Sequence, residues 1–110
     1  MKNGDEKKMI FLLTVWIPPN KAMETAKIYL EQAREIPHIR KWQVFNTTGG
    51  KHGNKQYHLI MTERGEGDEG LQAVMKYMIP VTNVDGVRTQ VEVLMGVTDS
   101  YKMVGMEWDS

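Results

Sequence analysis

Three histidines, His38, His52 and His58, are the side chains in this 110-residue chain best suited to moving protons near neutral pH. No HxH or HExxH pattern joins them, and the chain has no cysteine, so no metal site is expected. His38 follows Pro37 beside a turn, and His52 sits in the run Gly49-Gly50-Lys51-His52-Gly53; both read as solvated. His58 is different, because it lies within an alternating stretch between Tyr57 and Leu59. A neutral imidazole there can act as a general base or orient a polar ligand. The competing reading is a partly buried histidine hydrogen-bonded across a sheet or a subunit interface. Trp16, Trp42 and Tyr57 are expected to wall an apolar ligand pocket with His58 at its polar end. The plainer alternative for all three is core or interface packing.

Other chemistries lack their patterns. The glycine run has no GxxxxGK[ST] spacing and opens a strand rather than a helix, so it reads as a hairpin turn and not a phosphate loop. No GxSxG nucleophile motif occurs. Glu63, Glu66, Asp68 and Glu69 gather at a turn and helix start, where acidic groups suit the helix dipole. Lys and Arg number 14 and Asp and Glu 14, and the stretch from Lys55 to Thr62 lacks the basic-Gly-aromatic pattern of RNA-recognition strands. No nucleic-acid partner and no cofactor are expected, and no motif decides whether the chain is an enzyme.

The elements that must position these residues begin with the longest apolar run, residues 9–17, MIFLLTVWI. A membrane helix needs roughly 17 or more such residues, so no membrane partner is expected. Basic residues ahead of the run imitate a signal peptide, but Asp5, Glu6 and the lack of a small-residue cleavage site argue against one. Together with the absence of cysteine this points to the cytoplasm. The β-branched and aromatic residues favour a strand, ended by Pro18-Pro19. Its two faces are Met9, Phe11, Leu13, Val15, Ile17 and Ile10, Leu12, Thr14, Trp16, and both must be covered.

After it, Asn20 is expected to cap a helix running to about Glu35, with Met23, Ala26, Leu30 and Ala33 inward, extended by Ala22 and Tyr29. Strands are expected over 40–47 and 56–63, joined by the glycine-rich hairpin. Asp68 is expected to cap a second helix, which faces inward with Leu71, Val74, Met75 and Met78 and is closed by Pro80. A last strand covers 89–98. Residues 1–8 read as a disordered lead, 9–98 as a single domain, and 99–110 as an extension forming an edge strand or a dimer arm.

The order β-α-β-β-α-β implies an α+β, ferredoxin-like fold, a four-stranded antiparallel sheet with two helices on one face. The first strand is apolar on both sides, so the face away from the helices is expected to pack on a second copy, giving a homodimer. Folding of the C-terminal extension over that face is the alternative.

Trp16-Ile17-Pro18, the helix from Asn20, Trp42, the glycine run at 49–53 and the valines at 91–97 carry a resemblance covering residues 9–98. On these features the chain resembles the dimeric α+β barrel superfamily and, within it, a small bacterial and archaeal domain family. The resemblance implies a dimeric barrel but transmits no catalytic residue. The resulting functional reading is a small dimeric α+β barrel protein that binds a small, apolar molecule or serves as a structural or interaction module. The alternative is a cofactor-independent monooxygenase- or isomerase-like enzyme on an apolar substrate, using His58.

Overall fold

The structure, a computed structural model, describes residues 7–32, 35–47 and 54–107. Ala33, the run at 49–53 with His52, Trp108 and most of the expected N-terminal lead lie outside the described residues. Four strands, β1 (Ile10–Ile17), β2 (Ile39–Asn46), β3 (Asn54–Thr62) and β4 (Arg88–Leu94), form one antiparallel sheet in the order β2-β3-β1-β4. Helix α1 (Ala22–Glu31) connects β1 to β2, and α2 (Gly67–Thr82) connects β3 to β4. A third helix, α3 (Val97–Met103), follows β4.

The ferredoxin-like order holds, but the barrel does not. The sheet is open: β2 and β4 are its two edges and do not pair with each other. A sheet closes into a barrel only when its outer strands pair, and here β2 and β4 do not.

β1 runs down the middle of the sheet because it is apolar on both faces. Leu13 pairs with His58 on β3 and Val91 on β4, and Phe11 with Ile60 and Val93. These residues share one face, and the helices lie on it. The core is Phe11, Leu13, Val15, Ile17 and Ile60 from the sheet with Val74, Met78 and Val81 from α2. The opposite face carries Ile10, Leu12, Thr14 and Trp16 with their partners Met61, Leu59, Tyr57 and Lys55.

Both helices differ in detail from their expected form. A 3-10 turn over Pro19–Lys21 replaces the Asn20 cap and resets the phase of α1. Thr25, Ile28 and Tyr29 turn inward, while Met23 and Leu30 are 75% and 68% exposed. Thr25 tolerates burial because its Oγ1 donates to the Lys21 carbonyl at 2.8 Å. Helix α2 starts at Gly67 with Glu66 at its cap, which puts Asp68 inside the first turn, and it runs through Pro80 to Thr82. Pro80 is exposed, so the carbonyl left without its donor can turn to water. β4 ends at Leu94, and part of the stretch expected as strand or arm is helical.

Candidate functional site

Trp42, from β2, and His58, from β3, meet under the helices. The Trp42 indole Nε1–H donates to His58 Nδ1 at 2.9 Å. With Nδ1 accepting, the imidazole proton sits on Nε2, which donates to Gln56 Oε1 at 3.1 Å. Gln56 lies two residues back on the same strand and therefore on the same face. Burial pushes the His58 pKa down to about 4, so the ring is neutral at pH 7.

The helices close rings around this pair. Tyr29 of α1 lies tilted over His58 with centroids 5.9 Å apart, and Tyr77 of α2 meets Trp42 edge-on at 4.9 Å. Trp42 and His58 are themselves edge to face at 5.9 Å. Burial, and repulsion from Tyr77 once that neighbouring phenol ionises, raise the Tyr29 pKa, so its phenol stays protonated. Gln32 ties the helices together by donating to the Tyr77 carbonyl at 2.6 Å. Tyr29 Oη and Gln32 Oε1 are buried with no hydrogen-bond partner among the described residues.

A cleft of about 570 Å³ opens beside this cluster, lined by Tyr29, Ile36, Trp42, Val44, His58 and Tyr77, with Glu35, Arg40 and Lys41 also contributing. Both His58 nitrogens are engaged, so proton abstraction there would first have to break the Trp42 or Gln56 bond. The geometry makes His58 a strut between two strands, and the hydrogen bond runs across the sheet.

Trp16 and Tyr57 are elsewhere. They belong to the open face, where Lys55 Nζ lies 5.4 Å from the Trp16 ring and 4.9 Å from the Tyr57 ring. Arg88 covers Trp16 at 5.6 Å. The four residues expected to share one pocket are therefore split by the sheet: Trp42 with His58 on one side, Trp16 with Tyr57 on the other. Strand alternation could separate His58 from Tyr57, but not show that Tyr29 and Tyr77 would complete the cluster. Tyr29 was legible as an inward residue of α1, whereas Tyr77 gave no pattern signal.

His38 is not simply solvated. Its backbone is left-handed, φ 70°, and its Nδ1 pairs with Glu66 Oε1 at 2.7 Å. Its carbonyl also accepts from the Glu63 amide at 2.9 Å, which fixes the entry to β2. Among the described residues no group of three His, Asp or Glu side chains could hold a metal ion. No described helix is long and apolar enough to cross a membrane.

No protein-family model matches this chain, and no curated protein matches it. The resemblance to the dimeric α+β barrel superfamily, and to the small bacterial and archaeal family within it, does not stand. With the open sheet, this also overturns the functional readings made on that frame. Those were the dimeric barrel that binds small molecules or serves as an interaction module, and the monooxygenase- or isomerase-like enzyme using His58.

Proposed function

We propose that this chain self-associates as a homodimer, two copies packing through their open sheet faces. The observation that supports it is the apolar surface of that face. Ile10, Leu12, Leu59 and Met61 are only half-buried there, and Leu94 and Phe45 are exposed. Lys55, Arg88 and Glu92 share the face, so both signs of charge are present for a self-complementary contact. A net charge of zero adds no long-range repulsion between copies. Four strands about 4.8 Å apart and some 25 Å long give a footprint of roughly 500 Å² before side-chain relief is added. That approaches the ~800 Å² per partner of a standard interface.

Sedimentation at micromolar concentration tests this. The expected species has twice the 12.7 kDa chain mass, and a single species near the chain mass overturns the reading. Leu59→Asp is expected to give a folded monomer, with unchanged circular dichroism. A small apolar ligand is a proposed second partner, at the cleft beside Trp42, which its three aromatic walls favour. Titration with a naphthalene-type fluorescent probe tests it: Trp42→Ala should abolish binding, and binding that survives this change rejects the cleft. The proposed compartment is the cytoplasm, on the cysteine-free sequence. Neither a nucleic-acid nor a membrane partner is proposed.

A further inference from the structure

The segment after β4 is shaped but packs on little of its own domain. Helix α3 has seven residues, fewer than an isolated helix needs to persist in water. At its start, the Ser100 amide donates to the Gly96 carbonyl at 3.0 Å, and Ser100 Oγ donates to the Val97 carbonyl at 2.9 Å. Its C-terminal end is nevertheless specified. There Gly105 takes φ +75°, its amide donates to the Lys102 carbonyl at 3.0 Å, and the Met106 amide donates to the Tyr101 carbonyl at 2.8 Å. These two bonds around a left-handed glycine form a Schellman stop. The sequence therefore ends this helix deliberately; it is not a fraying tail.

The segment exposes apolar side chains on and around the helix, beside the polar Thr98 and Lys102. Met95, Val97, Met103, Val104 and Met106 are all exposed, Met103 by 73% and Val104 by 71%. Among the described residues no other element packs broadly on α3, although Asp99, Ser100 and Tyr101 are half-buried. One anchor is the ion pair of Lys7 Nζ with Asp99 Oδ1 at 3.2 Å, itself exposed. The segment leaves the sheet at Leu94, which belongs to the open face beside Ile10. It is thus continuous with the surface through which the homodimer is proposed.

We infer that residues 95–107 are an arm that packs on the second copy, laying Met103, Val104 and Met106 against it at the end of the stacked sheets. This inference rests on the self-association reading. One chain carries two apolar surfaces that meet at Leu94, and a second copy covers both in a single contact.

The cysteine-free chain allows a direct test in the whole 110-residue chain. Met103→Cys carrying a nitroxide is mixed with an equal amount of ¹⁵N-labelled, unmodified chain. The expected result is paramagnetic broadening of amides in the unmodified copy, with broadening lost on dilution into monomer. In parallel, Val104→Asp should raise the dimer dissociation constant at least tenfold while leaving the circular dichroism unchanged. A dimer by sedimentation with no broadening in the unmodified copy overturns the arm but spares the dimer. Broadening confined to the spin-labelled chain, read with that chain ¹⁵N-labelled, means the arm folds back on its own sheet and overturns the inference. A monomer under all conditions overturns both readings.

Discussion

On the helix side of the sheet Phe11, Leu13, Val15 and Ile60 are sealed from solvent; one residue along, Leu12 and Leu59 on the other side are only half-buried. The strands, their neighbours and even the residue types are the same. What differs is the second layer. Val74, Met78 and Val81 of α2 close one side, and among the described residues nothing equivalent closes the other. Polar groups follow the same division. On the sealed side they are tied down, as His58 is by Trp42 and Gln56, and as Thr62 is by accepting from the Met9 amide at 2.9 Å. On the open side Lys55 and Arg88 lie over aromatic faces with their charges near solvent. The same strand chemistry thus acts as core where a layer covers it and as adhesive surface where none does.

The largest test of this contrast is truncation on each side. Phe11→Ala should cost about 3–5 kcal/mol in urea unfolding, because a sealed site cannot collapse around the cavity. Leu12→Ala, measured at a dilution where the chain is monomeric, should cost only about 1 kcal/mol. Equal losses would mean that the open face is covered within one chain.

Acid provides the next test. The His58 pKa is about 4 in the folded chain against an ordinary 6.5. Above pH 6.5 neither state holds the proton, and this contribution to stability is complete. As pH falls from 6.5 to 4 the unfolded chain takes up the proton first, and about 3 kcal/mol is lost at most. Protonation would also turn Nδ1 into a donor facing the Trp42 N–H. Urea midpoints followed from pH 7 to pH 4 should fall more steeply for the natural chain than for His58→Gln. Parallel curves would remove His58 from the sealed side's account.

Two glycines give a smaller and local version of the same contrast. A Cβ on Gly70 would sit 2.5 Å from Thr62 Cγ2 and 3.3 Å from the His38 carbonyl, where α2 closes on β3. Gly70→Ala should therefore cost about 1–3 kcal/mol by overpacking. Gly96, at φ −60°, accepts alanine, and Gly96→Ala should change stability by no more than about 0.5 kcal/mol. Equal thermal shifts for the two variants would contradict the tight approach of α2.

The central strand, the element order and the two faces of every strand were legible in the residues. Phe11, Leu13 and Val15 share a face by alternation, and Pro18-Pro19 stops the run wherever it sits. The split of His58 from Tyr57 follows from the same period of two. The inward face of α1 was legible only at Tyr29. Met23, Ala26 and Leu30 make the better apolar stripe by composition, but after the turn at Pro19–Lys21 it is Thr25 and Ile28 that join Tyr29 toward the sheet. Pro80 reads as a stop, yet α2 passes through it, because an exposed helix face lets water take the freed carbonyl.

By itself, then, the sequence determined what local periodicity and backbone chemistry determine: strands, helices, turns and which residues travel together. Tertiary structure alone decided which face of β1 the helices chose, that β2 and β4 remain open edges, and that Tyr29 and Tyr77 enclose the Trp42–His58 pair. The reason is physical. A strand apolar on both sides is indifferent to which face is covered, so the choice falls to the packing of residues far away in the chain.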